Sequence, residues 1–217
     1  MKAGVAGLVL AAGLSRRMGR ADKLLLEVDG SAMVRRVVQA ALHAGLAPVV
    51  VVVGPSSKGV RRALAGLPVS FAVNERPEDG LSSSLRAGVR ALEGPPVEEP
   101  ANSPAEPGSE RARVLGTAIL LGDMPWLATE SLAALLEAFD PASGRDICVP
   151  VHAGRRGNPV LWGRRYFVEL LALEGDRGGR ALLDLHADRV REVVVDDEGV
   201  LRDVDTPAAL DAPPARS

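Results

Sequence analysis

The sequence predicts an α/β protein in three layers, a mostly parallel sheet with helices on both faces. Short apolar runs alternate along the chain with stretches of helical periodicity, the signature of strands joined by crossover helices. The run at 48–53 is almost pure valine, a composition suited to a strand covered on both sides. Two other runs end in glycine-containing loops, and sheets of this kind bind ligands outside the carboxyl ends of their strands.

The first expected strand is 5–10, which stops at Ala11-Ala12-Gly13 and so delivers a glycine-bearing loop. Ser31 is the expected N-cap of a helix in which Met33, Val34, Val37, Val38, Ala41 and Leu42 recur at helical spacing and Gly45 ends the run. Strands follow at 48–53 and 69–73, with a short helix between them ending near Leu64. From Gly80, the residues Leu81, Leu85, Gly88, Val89 and Leu92 share one helical face, which directs Ser82, Ser83, Arg86 and Arg90 elsewhere. Residues 94–113 are rich in proline, glutamate and small polar residues and have little to bury, so a flexible insertion is expected there. A strand at 116–121 then ends in Gly122-Asp123-Met124-Pro125, and a helix capped near Thr129 carries Leu132, Leu135, Leu136 and Phe139. Further strands are expected at 146–151, 159–162 and 191–195, with helices near 166–173 and 179–185.

The chain has 217 residues, enough for one sizeable core, and a single domain over 1–217 is expected. Its 26 basic and 28 acidic residues provide no global basic field for nucleic acid, which directs attention to a small-molecule partner. The one cysteine, Cys148, forbids an internal disulfide framework or multi-thiolate metal site, and its neighbours Ile147 and Val149 suit a buried thiol. The N-terminal apolar run is short and broken by glycines, and no stretch approaches the ~18 apolar residues of a membrane helix. A cytoplasmic protein without membrane contact is expected.

Three loops carry candidate chemistry. In LAAGLSRRMGRADK, small residues let backbone N–H groups approach an anion while Arg16, Arg17 and Lys23 can offset phosphate charge. The loop has neither GxGxxG nor the GxxxxGK[ST] spacing, so it is a phosphate loop of another kind, and a plain surface turn accounts for its composition equally well. Asp123, just past a buried strand, needs solvent, a partner or a metal, and its oxygens suit magnesium. In RDVDTPAAL, Asp203 and Asp205 precede a helix start, where acidic residues commonly cap. Convergence with Asp123 would instead make them metal contacts. The serines of GLSSSLRAG can either start a helix or offer hydroxyls and amides to a nucleotide, and the three scattered histidines lack metal-ligand spacing.

Taken in order, LAAGLSRRMG with Lys23, GLSSSLRAG, LLGDMP, GNPVLW, GDRGGRALL and VDTP span nearly the whole chain. Together they resemble the molybdenum cofactor nucleotidyltransferases, most closely the cytidylyltransferase branch, within the Rossmann-like nucleotide-diphospho-sugar transferase fold. The resemblance implies that Leu10, Ala11, Ala12 and Gly13 hold the nucleotide, with Ser82 and Ser84 also contacting it. It implies that Arg17 and Lys23 meet the phosphates and act in catalysis with Asp123, and that Asp123 and Asp205 bind Mg²⁺. Ala12 is similar to the residue that cytidylyltransferases carry where guanylyltransferases have glycine, so CTP is the implied donor and a molybdopterin-type phosphate the implied acceptor. A molybdoenzyme or maturation factor is an implied transient partner. Two departures exist: Asn158 stands in GNPV where related cytidylyltransferases often have histidine, and the insertion is longer than expected. A guanylyltransferase, a transferase acting on a sugar or polyol phosphate, and a carrier that transfers nothing are the alternatives.

Overall fold

The computed structural model describes residues 4–13, 23–94, 114–175, 179–205 and 207–210. Its strands and helices are β1 Val5–Ala11, β2 Glu27–Val28, β3 Ser31–Ala32, α1 Met33–His43, β4 Val49–Val53, α2 Lys58–Ala63, β5 Ser70–Val73, α3 Leu81–Glu93 and β6 Gly116–Leu121. These are followed by α4 Thr129–Ala138, β7 Ile147–His152, β8 Arg155–Arg156, β9 Val160–Gly163, α5 Phe167–Leu171, α6 Arg180–Leu185, β10 Val190–Val194 and α7 Pro207–Leu210.

The main sheet runs β10-β7-β9-β6-β1-β4-β5, with β8 attached to β7. Pairing is parallel through β5, β4, β1 and β6 and between β7 and β10, whereas β9 runs antiparallel to both β6 and β7. The mostly parallel expectation therefore holds, with β9 inverted inside it.

Strand alternation divides the apolar side chains between two layers, since successive residues point to opposite faces. Val9, Val51 and Leu120 pack with Val34, Val37, Val38, Leu132 and Leu135, which places α1 and α4 on one face. Leu8, Val50 and Ile119 pack with Leu85, Val89, Phe167, Leu170 and Leu182, which places α3, α5 and α6 on the other. Gly88 lets α3 approach closely: a Cβ there would lie 2.2 Å from Leu8 Cδ1.

Several local expectations change. Ser31 does not cap α1; it pairs with Val28 across a hairpin whose turn residues, Asp29 and Gly30, have φ of 51° and 75°. Asp-Gly at those two positions is the sequence of a two-residue hairpin turn, so Ser31 is drawn into a strand and Ala32 occupies the cap position. Thr129 is the first residue of α4 rather than its cap, and Phe139 lies just past its end. Leu81 is 37% exposed, while Ser82, Ser83 and Ser84 are buried, so the serine face of α3 turns inward at its first turn. Except for Gly94, the expected insertion at 94–113 lies outside the described residues.

Strand order reverses around β1 and β6. From β1 the chain continues toward β4 on one side, and from β6 toward β7 on the other. Leu10 is the register partner of Leu121, so the loop after β1 and the Gly122-Asp123 turn leave the sheet side by side.

Candidate functional site

The backbone holds the two loop starts together: the Gly122 N–H donates to Leu10 O at 3.0 Å, and a Cβ on Gly122 would sit 3.0 Å from that same oxygen. Leu10, Ala11 and Ala12 are buried and Gly13 is exposed, so the chain emerges from the core at the carboxyl end of β1. Arg16 and Arg17 lie outside the described residues.

Lys23 returns to this end of the sheet. Its Nζ donates to Asp123 Oδ2 at 2.6 Å and to Asp205 Oδ1 at 3.1 Å, joining residues 100 and 182 positions apart in sequence. Burial works against the lysine's charge, but hydrogen bonds and attraction from Asp123 and then Asp205 outweigh it and raise its pKa above the ordinary value. Lys23 therefore stays cationic at neutral pH.

The convergence on which the RDVDTPAAL reading turns is present, and Asp203, absent from the ligand set the resemblance implies, completes the cluster: one carboxylate oxygen from each of Asp123, Asp203 and Asp205 lies within 4.8 Å of the others. Asp123 Oδ1 is buried and accepts no hydrogen bond among the described residues. A buried carboxylate oxygen without a donor is costly, and three oxygen donors at such spacing suit a hard divalent cation. The residues present thus fit a Mg²⁺-type ion. Arg36, reaching from α1, supports the Asp123 loop by donating to Pro125 O at 2.9 Å.

The serines of α3 form a different cluster. Asn74, only 4% exposed, donates through Nδ2 to Ser83 Oγ at 2.8 Å and to Ser84 Oγ at 3.0 Å. The Ser82 hydroxyl donates to Gly175 O at 2.6 Å, tying α3 to the segment before α6. Sequence reading missed Asn74; its position directly after β5 at the carboxyl end of the sheet was the available signal.

Beside these elements lies a groove of about 830 Å³, in the range of small-ligand sites. Leu10 and Leu121 line it next to the two loops, Val149 and Trp162 contribute apolar surface, and Asn158 and Arg180 are among its polar groups. Of the histidines, His152 Nδ1 lies 3.1 Å from Val195 O and His186 Nε2 2.7 Å from Glu169, consistent with structural roles. Cys148 is fully buried, and burial pushes its thiol up to about 11.

Residues 7–191 match the family of MobA-like NTP transferase domains. The chain belongs to this family. The "Probable molybdenum cofactor guanylyltransferase" of Natronomonas pharaonis is 30% identical over 162 residues, covering 71% of this chain and 69% of that protein. The nicotine blue oxidoreductase of Paenarthrobacter nicotinovorans is 28% identical over 93% of this chain and 92% of its own length. The chain spans only 25% of a bifunctional GlmU protein from an Anaeromyxobacter strain that it also matches. Among solved structures, Rv0371c from Mycobacterium tuberculosis is similar at a TM-score of 0.73 and 28% identity, with 96% of both chains covered. A complex of Rv0371c with manganese is similar at a TM-score of 0.68 and 28% identity, covering 95% of each chain. Membership of this family makes the chain a nucleotidyltransferase. Among the described residues, no helix is long and apolar enough to cross a membrane.

Proposed function

We propose that this nucleotidyltransferase transfers CMP from CTP to the terminal phosphate of a molybdopterin-type acceptor and releases pyrophosphate. The observation that carries this reading is the meeting of Lys23, Asp123 and Asp205 between the ends of β1 and β6. An acceptor phosphate is already anionic, so the reaction needs alignment and charge neutralisation more than proton removal. An acceptor oxygen attacks the α-phosphorus in line, the bond from that phosphorus to the bridging oxygen of the β-phosphate breaks, and pyrophosphate departs with the electron pair.

In this scheme Leu10, Ala11, Ala12 and Gly13 hold the nucleotide; on the α3 side Ser82 is fully buried with its hydroxyl on Gly175 O, so of the two serines only Ser84 is proposed as a contact. Lys23 supplies a permanent positive charge beside the phosphates, joined by Arg17. Asp123 and Asp205 would hold Mg²⁺, with Asp203 adjacent, and the ion would offset charge on the triphosphate and the leaving pyrophosphate. The groove beyond Leu121 would take the acceptor, its apolar surface facing a flat ring system and Arg180 an anionic group.

The donor preference rests on Ala12, which is similar to the residue at that position in cytidylyltransferases. GTP is the second reading, favoured by the guanylyltransferase name of the Natronomonas relative. Incubating the protein with Mg²⁺, molybdopterin and each of the four NTPs, and weighing the products, decides between them. A CMP adduct with pyrophosphate release is expected. A GMP adduct would overturn the donor, an adduct formed only on sugar or polyol phosphates would overturn the acceptor, and no adduct on either class would leave a carrier.

A further inference from the structure

Two of the three clustered carboxylates sit on a segment with little regular structure. Among its described residues between β10 and α7 it forms only a short 3₁₀ turn, Glu198–Leu201, yet it delivers Asp203 and Asp205 to Asp123. Its path is pinned at successive points. The Asn158 N–H donates to Val200 O at 2.8 Å, and Val200 and Val204 are fully buried. Gly199 lies so close to the Asp123 loop that a Cβ would be 2.3 Å from Trp126 O. The Val204 N–H donates to Asp123 O at 2.9 Å.

At the centre of this strap is Asp197. Its Oδ2 accepts from the Ala128 N–H at 3.0 Å and from the Ser131 hydroxyl at 2.8 Å, and its Oδ1 accepts from the Gly199 N–H at 2.8 Å. Ala128 occupies the cap position of α4, and a carboxylate 69 residues later takes its N–H and the Ser131 hydroxyl, placing a negative charge at the helix N-terminus. One side chain therefore joins the helix that follows the Asp123 loop to the strap that carries Asp203 and Asp205. Among the described residues its hydrogen bonds go to Ala128, Ser131 and Gly199, and it acts on the three carboxylates through the backbone.

From this geometry we infer that Asp197 is a positioning residue for the cation, fixing the spacing between Asp123 and Asp205. The inference rests on the cation reading above. Both carboxylate oxygens are engaged by donors, so asparagine cannot replace the aspartate: its single oxygen serves one side, and its amide NH₂ then faces N–H or O–H donors on the other. A residue that only capped α4 would influence stability and leave cation affinity alone. Outer partners of metal ligands typically alter affinity by roughly 10–100-fold.

The test is a titration of the full chain with Mn²⁺ alone, reading free Mn²⁺ by electron paramagnetic resonance and the melting temperature in parallel. Asp197→Asn is expected to weaken Mn²⁺ binding about tenfold. Ser131→Ala, which removes one of the three donors and spares the carboxylate, should give a smaller loss in the same direction and serves if Asp197→Asn does not fold. Leu132→Ala, a cavity in the buried face of α4, should lower the melting temperature and bind Mn²⁺ like the parent. Unchanged affinity in Asp197→Asn, or in Ser131→Ala where only that variant folds, overturns the inference, as does an equal loss in Leu132→Ala. A parent protein that binds no Mn²⁺, or an Asp123→Ala variant that binds as well as the parent, fails the cation reading itself and the inference with it.

Discussion

Two aspartates flank neighbouring parts of the sheet and are treated in opposite ways. Asp146, just before β7 and 2% exposed, is fully partnered: Oδ2 accepts from Arg165 Nε at 2.7 Å and Oδ1 from the Tyr166 hydroxyl at 3.2 Å. Asp123, just after β6, shares Lys23 with Asp205 through Oδ2, while its buried Oδ1 accepts nothing among the described residues. A buried carboxylate oxygen left without a donor costs on the order of 1–3 kcal/mol or more, and such a cost is tolerated where a ligand completes the set. Asp146 is satisfied by its protein partners, whereas Asp123 keeps an oxygen that the proposed cation would complete.

The sharpest way to break this contrast is Asp123→Asn, which keeps shape and removes charge. Steady-state assays should show turnover lower by roughly 10²–10³-fold, the scale of losing one preorganised electrostatic group. Thermal denaturation without metal should show a melting temperature equal to the parent's or higher. A large drop in melting temperature would make Asp123 a structural residue like Asp146.

The reverse pattern is expected of Asp146→Ala, which strands the Tyr166 hydroxyl and one side of Arg165. Urea denaturation should show a loss of roughly 2–3 kcal/mol, the lower part of the range for a broken buried pair because Arg165 is half-exposed. Turnover per folded molecule should not change.

Tyr166 sharpens the same side of the comparison. Burial, and then the Asp146 charge, push its hydroxyl up to about 12, so the unfolded chain ionises first and stability falls as pH rises from about 10 through about 12. Because the chain has one tyrosine, phenolate absorbance reads this group alone. Tyr166→Phe should cost about 1 kcal/mol at neutral pH and remove that alkaline slope.

The smallest effect belongs to an exposed aspartate. Asp140 is held at about 2 by the Ser143 hydroxyl and then by Arg145, so its contribution is present above pH 4 and lost as pH falls toward about 2. Asp140→Asn should flatten only a small part of the acid limb in melting curves, because solvent screens the group.

The distinction between Asp123 and Asp146 was only half legible in the sequence. Asp146 opens an expected strand, whereas a place past the carboxyl end of a strand and the LLGDMP resemblance select Asp123. The strands themselves were readable from their apolar runs, and 116–121 matched its observed bounds. The inversion of β9 was not readable, since four apolar residues carry no sign of direction. The Asp-Gly turn at 29–30 was present in the sequence, but the expectation of a cap at Ser31 makes no use of it. Asn74 and Asp197 act through partners distant in the chain or on the far side of a turn, and periodicity does not encode such meetings. The parallel register of β1 and β6 sets the loop after β1 beside Asp123, and Asp205 joins Lys23 there only through the strap whose Val204 N–H donates to Asp123 O, a meeting no local pattern encodes.

The central claim, that the β1 loop and the β6 turn act as one phosphate and cation site, is tested most directly by a double-mutant cycle on pyrophosphate release. Lys23→Ala, Asp123→Ala and their combination would be compared at saturating CTP, Mg²⁺ and acceptor. Groups that work as a unit lose their function together, so the double variant should be no more than about three-fold slower than the slower single variant. Losses that multiply would show that the two residues act independently, and the single shared site would be wrong.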